Sequence, residues 1–341
     1  MGAIGIDTHK DTLAACVVDA LGMPRAERTF DNDPAGHRAL LDWARAADPD
    51  AVIGIEGSAS FGAPAARFLI AAGCAVREVP PQLSRHERVR TRRAGKSDPG
   101  DALAIARVTL RESDLPPVRL ADESLEIQLL VGAREDVVLE MTRVRNRLHA
   151  DLRVLAPGYG ASASNLTTIR HQRAVVRLLT RLVGVQAELA RGRLRRLRAL
   201  ASEERALAGR IGARVEGHPL LALPGAGVIV TATLVGEVGD IRRFRSADAF
   251  AALAGVAPIP ASSGQTTRMR LNRGGNRQLN RALYTIALSQ ARHHPPARAY
   301  IARKRAEGKT WREAIRALKR QLVRTVFGLL QAGAKPVVLA A

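Results

Sequence analysis

The sequence predicts an α/β domain followed by an all-α remainder, and three observations lead there. Short apolar and β-branched runs alternate with amphipathic stretches over residues 1–110. From residue 122 onward, apolar positions recur at helical spacing instead. Pro157-Gly158 and Leu223-Pro224-Gly225-Ala226-Gly227 then punctuate that helical remainder, as loop signals should. The expected organisation is an α/β domain at 1–115, a helical, coiled-coil linker at 116–215, and a mainly helical domain at 216–341.

Within the first domain, Ala3–Ile6 and Leu13–Val18 read as strands, and Gly22 marks a turn before a third at Arg25–Phe30. His37–Ala47 carries the spacing of an amphipathic helix. Ala51–Ile55 is a compact apolar strand that stops at Glu56, Pro64–Ala72 a helix, and Ala75–Val79 another strand. This order calls for a mixed sheet. Residues 80–100 read as a basic loop containing Arg85, Arg88, Arg90, Arg92, Arg93 and Lys96. A helix begins at Ser97-Asp98-Pro99, where proline suits the first turn.

Glu123–Leu155 reads as one long helix. Val175, Leu178, Leu182, Val185 and Leu189 follow 3-4 spacing, the mark of a short coiled-coil seam that serves a bundle core as readily as a dimer. Residues 219–236 lack charge and approach membrane-spanning length. Pro219, Pro224, Gly225 and Gly227 interrupt them without a flanking aromatic belt, so they read as buried core. The last long helix, Trp311–Leu330, is rich in arginine.

Composition points to a polyanionic partner. The formal net charge is +21, and six of the 53 basic residues are lysines, the rest arginine, whose planar fork suits phosphate and guanine. Aromatic residues make up 3% of the chain, which argues against stacking of bases as the main mode of binding. Cys16 and Cys74 offer no metal-ligand spacing and fit a reduced, cytoplasmic setting. Asp7, His9, Lys10 and Asp11 stand where a secretion signal would be apolar, so neither export nor a membrane is expected.

Two constellations could carry chemistry. Asp7 and Glu56 each end an apolar strand, and Asp98 and Asp101 lie three apart at a helix start, on one face. Four converging carboxylates repel unless cations neutralise them, and hard oxygen donors favour Mg²⁺ or Mn²⁺. Taken singly, Asp98 reads as an N-cap, with Asp101 complementing the helix dipole, and Asp7 as a turn residue. Glu56 has no such task before Gly57. The second constellation is Ser262-Ser263-Gly264 in a loop with Arg268, Arg270 and Arg273 close behind. A serine facing arginines is placed like a nucleophile at a phosphodiester, although spacing alone favours a turn that touches DNA backbone. The turn with Gly225 and Gly227 reads equally as a phosphate-contacting hairpin between helices and as a plain connector. The eight histidines show no triad spacing.

In this order the segments resemble insertion-sequence family 110 transposases, the DEDD class of bridge-RNA-guided recombinases. The resemblance runs through Gly5-Ile6-Asp7-Thr8-His9-Lys10, Glu56-Gly57-Ser58, Lys96-Ser97-Asp98-Pro99-Gly100-Asp101 and Leu223–Gly227. It continues through Asp240–Phe244, Gly255-Val256-Ala257-Pro258, Ser263-Gly264, Arg273–Leu279 and Gly308-Lys309-Thr310. It implies an RNase H-like (RuvC-like) N-terminal domain with Asp7, Glu56, Asp98 and Asp101 as catalytic metal ligands. It also implies a C-terminal domain in which Ser263, with Ser262 beside it, is the nucleophile. The implied partners are double-stranded DNA, a structured guide RNA and further copies of the chain in a dimer or tetramer. Two other readings stay open: a metal-dependent Holliday-junction-type nuclease in which water attacks, and a non-catalytic nucleic-acid-binding relative.

The charge distribution generates one expectation by itself. A chain that neutralises roughly six to ten phosphates loses several orders of magnitude in affinity between low and moderate salt. Titrations of a nucleic-acid duplex at a series of salt concentrations check this; a flat response would mean the arginines face no phosphate.

Overall fold

The computed structural model describes residues 2–90, 98–118, 122–163, 165–260, 269–270, 272 and 274–334. The chain divides into two compact units, Met1–Asp122 and Glu123–Ala341.

The first unit is built on five strands: β1 (Ala3–Thr8), β2 (Thr12–Val18), β3 (Pro24–Asp31), β4 (Val52–Ile55) and β5 (Val76–Glu78). Their order in the sheet is β3-β2-β1-β4-β5. β1, β2 and β3 form an antiparallel meander; β4 pairs parallel with β1, and β5 parallel with β4. Helices α1 (Pro34–Ala47) and α2 (Ala63–Ala71) supply the crossovers that parallel pairing needs. This is the mixed sheet of an RNase H-like domain, as the resemblance implies, and each expected strand appears within a residue or two of its anticipated ends.

Alternation along the strands gives the sheet two different faces. Ile4, Ile6, Leu13, Ile53 and Ile55 bury against Leu40, Leu41 and Leu69 of α1 and α2. The opposite face carries small residues, Ala3, Ala14 and Cys16, covered by Ala102, Leu103 and Ala106 of α4 (Asp98–Arg111). Gly5 and Gly54 are register partners on that face. A Cβ at Gly5 would lie 2.8 Å from Ala106 Cα and closer still to the Ala102 carbonyl; one at Gly54 would overlap Thr109. Two glycines thus let α4 lie directly on the sheet backbone.

Residues 80–100 depart from expectation. Where the sequence suggests a loop, α3 (Pro81–Arg90) forms. Its sequence lacks an apolar period because polar contacts hold it: Ser84 and Glu87 are buried, and Arg111 of α4 binds Glu87 at 2.5 Å. The basic residues 91–97 lie outside the described residues.

The second unit begins with α5 (Glu123–Leu155), α6 (Gly160–Ala163), α7 (Ile169–Thr180) and α8 (Val185–Arg214). It continues with α9 (Val228–Val238), α10 (Ala247–Leu253), the short strands β6 (Ile259–Pro260) and β7 (Met269–Arg270), α11 (Arg277–His293), α12 (Pro295–Ala306) and α13 (Trp311–Ala332). Helices α5 and α8 pack as an antiparallel pair. Ion pairs Asp151–Arg193, Glu140–Arg196, Arg134–Glu204 and Glu126–Arg214 mark its register from one end to the other. The seam expected at 175–189 is divided by Gly184, whose φ of 101° separates α7 from α8. Val175 stays buried among Leu148, Leu152 and Leu194, while Val185 and Leu189 are exposed. The charge-free stretch at 219–236 is largely core: Leu220, Ala226 and Leu234 join Leu283, Ile286, Leu322 and Val326 in the largest cluster of the unit. No helix among the described residues is long and apolar enough to cross a membrane.

The glycines give opposite expectations for stability. Gly5→Ala forces α4 off the sheet and should cost about 2 kcal/mol or more. Gly132→Ala, at an open position inside α5 where a Cβ meets nothing within 4 Å, should stabilise by roughly 0.5–1 kcal/mol. Denaturant unfolding of the two variants checks both signs.

Candidate active site

The face that α4 covers is also the face on which the acidic residues gather. Asp7 shares the parity of Gly5 on β1, and Glu56 shares that of Gly54, one residue past β4. The Glu56 amide donates to Ile6 O at 3.1 Å, so pairing of the two strands continues to the carboxylates. Neighbouring strands run about 4.8 Å apart, which sets Asp7 and Glu56 side by side.

Asp101 comes from α4, one residue before the carbonyl that abuts Gly5, and is buried. Helix α3 links it to Glu56. Ser84 donates its hydroxyl to Glu56 Oε2 at 2.5 Å, and the Arg88 guanidinium lies 3.2 Å from Asp101 Oδ1. Residues four apart share one helix face, with Cβ atoms roughly 5–6 Å apart. His9 Nε2 lies 3.3 Å from Asp7 Oδ2. Each of the three acids is thus held by a hydroxyl, an imidazole or a guanidinium.

Asp98 opens α4, one turn before Asp101; its side chain is outside the described residues. Among the described residues no three His, Cys, Asp or Glu side chains stand in a metal-holding arrangement. By chemistry the donor set nevertheless fits a hard divalent cation. It is all carboxylate oxygen, the donor such a cation prefers. Asp11 is exposed in the turn between β1 and β2.

One acidic residue escaped the sequence reading. Glu78 ends β5 opposite Ile55, and its Oε2 accepts from the Ser58 amide at 3.2 Å. Burial, reinforced by the Glu56 charge, lifts its carboxyl to about 7, against the pull of the Ser58 and Gly57 amides. Its signal was weak, since β5 is only Val76-Arg77-Glu78, with a charge in its middle, and lacks the apolar run that leads to Glu56. Ser84, Arg88 and His9 gave none, because their partners are distant in sequence or sit in a turn.

In the second unit, Gly225 (φ 89°) turns the chain after residues 219–222, and Gly227 caps α9. A Cβ at Gly225 would lie 2.9 Å from Ser289 Cβ of α11, and Gln290 donates to Pro224 O at 2.9 Å, so this turn is sewn onto α11. Arg270 lies on β7, paired with Ile259 of β6; Arg90 ends α3. Ser262, Ser263, Arg92, Arg93, Lys96, Arg268 and Arg273 fall outside the described residues.

The chain matches two families. Residues 4–157 match the DEDD transposases of IS110, and residues 217–302 the transposases of the IS116/IS110/IS902 family. It is 29% identical to a 43.6 kDa protein of insertion element IS110 from Streptomyces coelicolor, covering 97% of this chain and 94% of that one. It is 30% identical to a 42 kDa protein of insertion element IS900 from Mycobacterium paratuberculosis, over 77% and 78% of the two chains. A solved structure of T. thermophilus RuvC in complex with a Holliday junction substrate aligns with 31% of this chain and 90% of its own, at 20% identity and a TM-score of 0.26.

Glu78 gives the site a signature in pH. A carboxyl whose folded pKa lies above its unfolded value binds protons more tightly when folded. Its contribution therefore favours the folded state at low pH and is lost as pH rises toward and through about 7. In metal-free buffer the first unit should weaken between pH 5 and 8 by on the order of 2 kcal/mol from this group. Glu78→Gln should flatten that dependence and raise stability at pH 8. Melting curves across the range check it; equal slopes for variant and wild type would show that Glu78 is not the group responsible.

Proposed function

Because the chain belongs to the IS110 family of insertion-sequence transposases, we propose that it cuts and rejoins DNA strands with a carboxylate site and a serine nucleophile, guided by an RNA that its element encodes. The observation that carries this reading is that Asp7 and Glu56 close adjacent strands while Ser84 and Arg88 of α3 contact Glu56 and Asp101. A purely structural domain gains nothing from setting mutually repelling acids on one face of its sheet.

Asp7, Glu56, Asp98 and Asp101 would hold Mg²⁺ or Mn²⁺, which supplies Lewis-acid charge at a phosphodiester when bound. Ser263 attacks the phosphorus, its oxygen forming the new bond as a deoxyribose oxygen leaves. The resulting phosphoserine keeps the bond energy for rejoining. Arg268, Arg270 and Arg273 offset the charge that grows on the phosphoryl oxygens. Arg90, Arg92, Arg93, Lys96 and the amides at Gly225 and Gly227 hold backbone phosphates. Domain roles follow the expected division: catalysis by 1–115, spacing by 116–215, and the nucleophile from 216–341. Double-stranded DNA, the guide RNA and a dimer or tetramer of the chain complete the working assembly.

A labelled donor DNA with guide RNA and Mg²⁺, run on a denaturing gel, tests the reading. Asp7→Asn should lower strand cleavage by on the order of a hundredfold or more, whereas Asp11→Asn should leave it nearly unchanged. Ser263→Ala should abolish both the covalent protein–DNA product and strand exchange while RNA and DNA still bind; Ser262→Ala should be mild. A covalent product that survives Ser263→Ala but not Ser262→Ala moves the nucleophile by one residue. DNA cut by the wild type without any adduct would make water the attacker and the protein a resolvase-type nuclease.

A further inference from the structure

The second unit holds a cleft of about 430 Å³ that the proposed chemistry does not use. The turn at Gly255, the approach to α11, and flanks of α11 and α13 wall it. Four cations line it, Arg277, Arg281, Arg316 and Lys319, together with Asn280 and Tyr284, and no carboxylate is among the lining residues.

Lys319 is the unusual member. It is 8% exposed, its Nζ donates to Asn280 Oδ1 at 2.8 Å, and it lies 5.7 Å from the centre of the Tyr284 ring. Those are its partners among the described residues, and neither carries negative charge. A buried ammonium without a counter-ion is costly. Burial, and after it the charge of Arg316, holds the Lys319 amine below the ordinary lysine value.

The surroundings fix that amine in place. Asn280 Nδ2 donates to Ala254 O at 2.9 Å and to Gly255 O at 3.1 Å, which turns its Oδ1 toward Lys319. Gly255 (φ 65°) and Gly275 meet so closely that a Cβ at Gly255 would lie 3.1 Å from Gly275 Cα. Arg281 is committed to Glu135 at 2.5 Å and Arg316 lies 3.7 Å from Glu313. Arg277, exposed at the start of α11, and Lys319 have no such acid among the described residues. The positive end of the α11 dipole adds to the same field.

We propose that this cleft seats one backbone phosphate of a nucleic acid, with Lys319 as the buried charge, Asn280 as its positioning residue, and Arg277 and Arg316 gripping the anion from the rim. A phosphodiester supplies the missing negative charge and presents two oxygens, one for the ammonium and one for an arginine fork. The proposal rests on the reading above only in taking a nucleic acid as the source of the phosphate.

The full-length protein is titrated against a fluorescent DNA duplex and an RNA duplex of equal length, by anisotropy at several salt concentrations. Lys319→Gln should weaken binding to the duplex seated in the cleft by about tenfold and lower the slope of log affinity against log salt by about 1. Lys319→Arg should keep most of the affinity. Arg292→Gln, an exposed cation outside the cleft, should change it by less than about twofold. A loss confined to one probe identifies the nucleic acid. Should Lys319→Gln not fold, the double variant Arg277→Gln/Arg316→Gln on the exposed rim makes the same comparison. Variants that fold, bind both probes within about twofold of wild type and keep the full salt slope overturn the proposal. Because the readout is affinity, such a result removes the cleft even if Ser263 is the nucleophile, and a tenfold loss upholds it even if water attacks.

Discussion

The first unit depends on how closely α4 lies against its sheet. Gly5 and Gly54 stand opposite each other on adjacent strands; the α4 backbone occupies the space a side chain at Gly5 would fill, and the Thr109 side chain of α4 the space at Gly54. That approach brings Asp101 to the level of the strand ends, where Asp7 and Glu56 emerge. Side chains at either glycine would lift the helix and carry Asp101 away from its fellow acids. Packing and chemistry are therefore set by the same two positions. Close-packed interiors leave no slack to absorb an extra methyl group there.

Helix α3 adds a second, polar constraint. Ser84 and Arg88 reach from one of its faces to Glu56 and Asp101, while Glu87, buried, takes the Arg111 guanidinium from α4. Such a helix is stabilised by complementary charge and hydrogen bonding more than by apolar area. His9 plays the corresponding part for Asp7.

Much of this was legible in the sequence. Strands that end on Asp7 and Glu56 announce themselves, because an apolar run stops at a charge that has no capping task. The long helices of the second unit, Glu123–Leu155 and Trp311–Ala332, were equally plain from 3.6-residue periodicity. Helix α3 was hidden because it lacks that periodicity, and tertiary polar contacts do not show in a linear pattern. The seam at 175–189 looked continuous because spacing ignores Gly184, whose left-handed backbone divides it. Glu78 was hidden because β5 is three residues long with Arg77 at its centre, so no apolar run points to it. The cleft around Lys319 could not have been read at all: Gly255, Asn280 and Lys319 come from three separate elements, and only packing shows that one lysine of the arginine-rich α13 is buried.

The α5–α8 pair carries a different kind of consequence. Its four ion pairs join residues whose numbers rise along one helix as they fall along the other, so the two arms run antiparallel and are tied at intervals along their length. At 1.5 Å per residue, inserting a single residue in one arm rotates and shifts everything beyond it out of step with its partner. The hairpin can change length only when both arms change together, by whole turns. Lineages carrying a longer or shorter version of this strut should therefore differ by paired insertions, one in each arm, at equal distances from the tip.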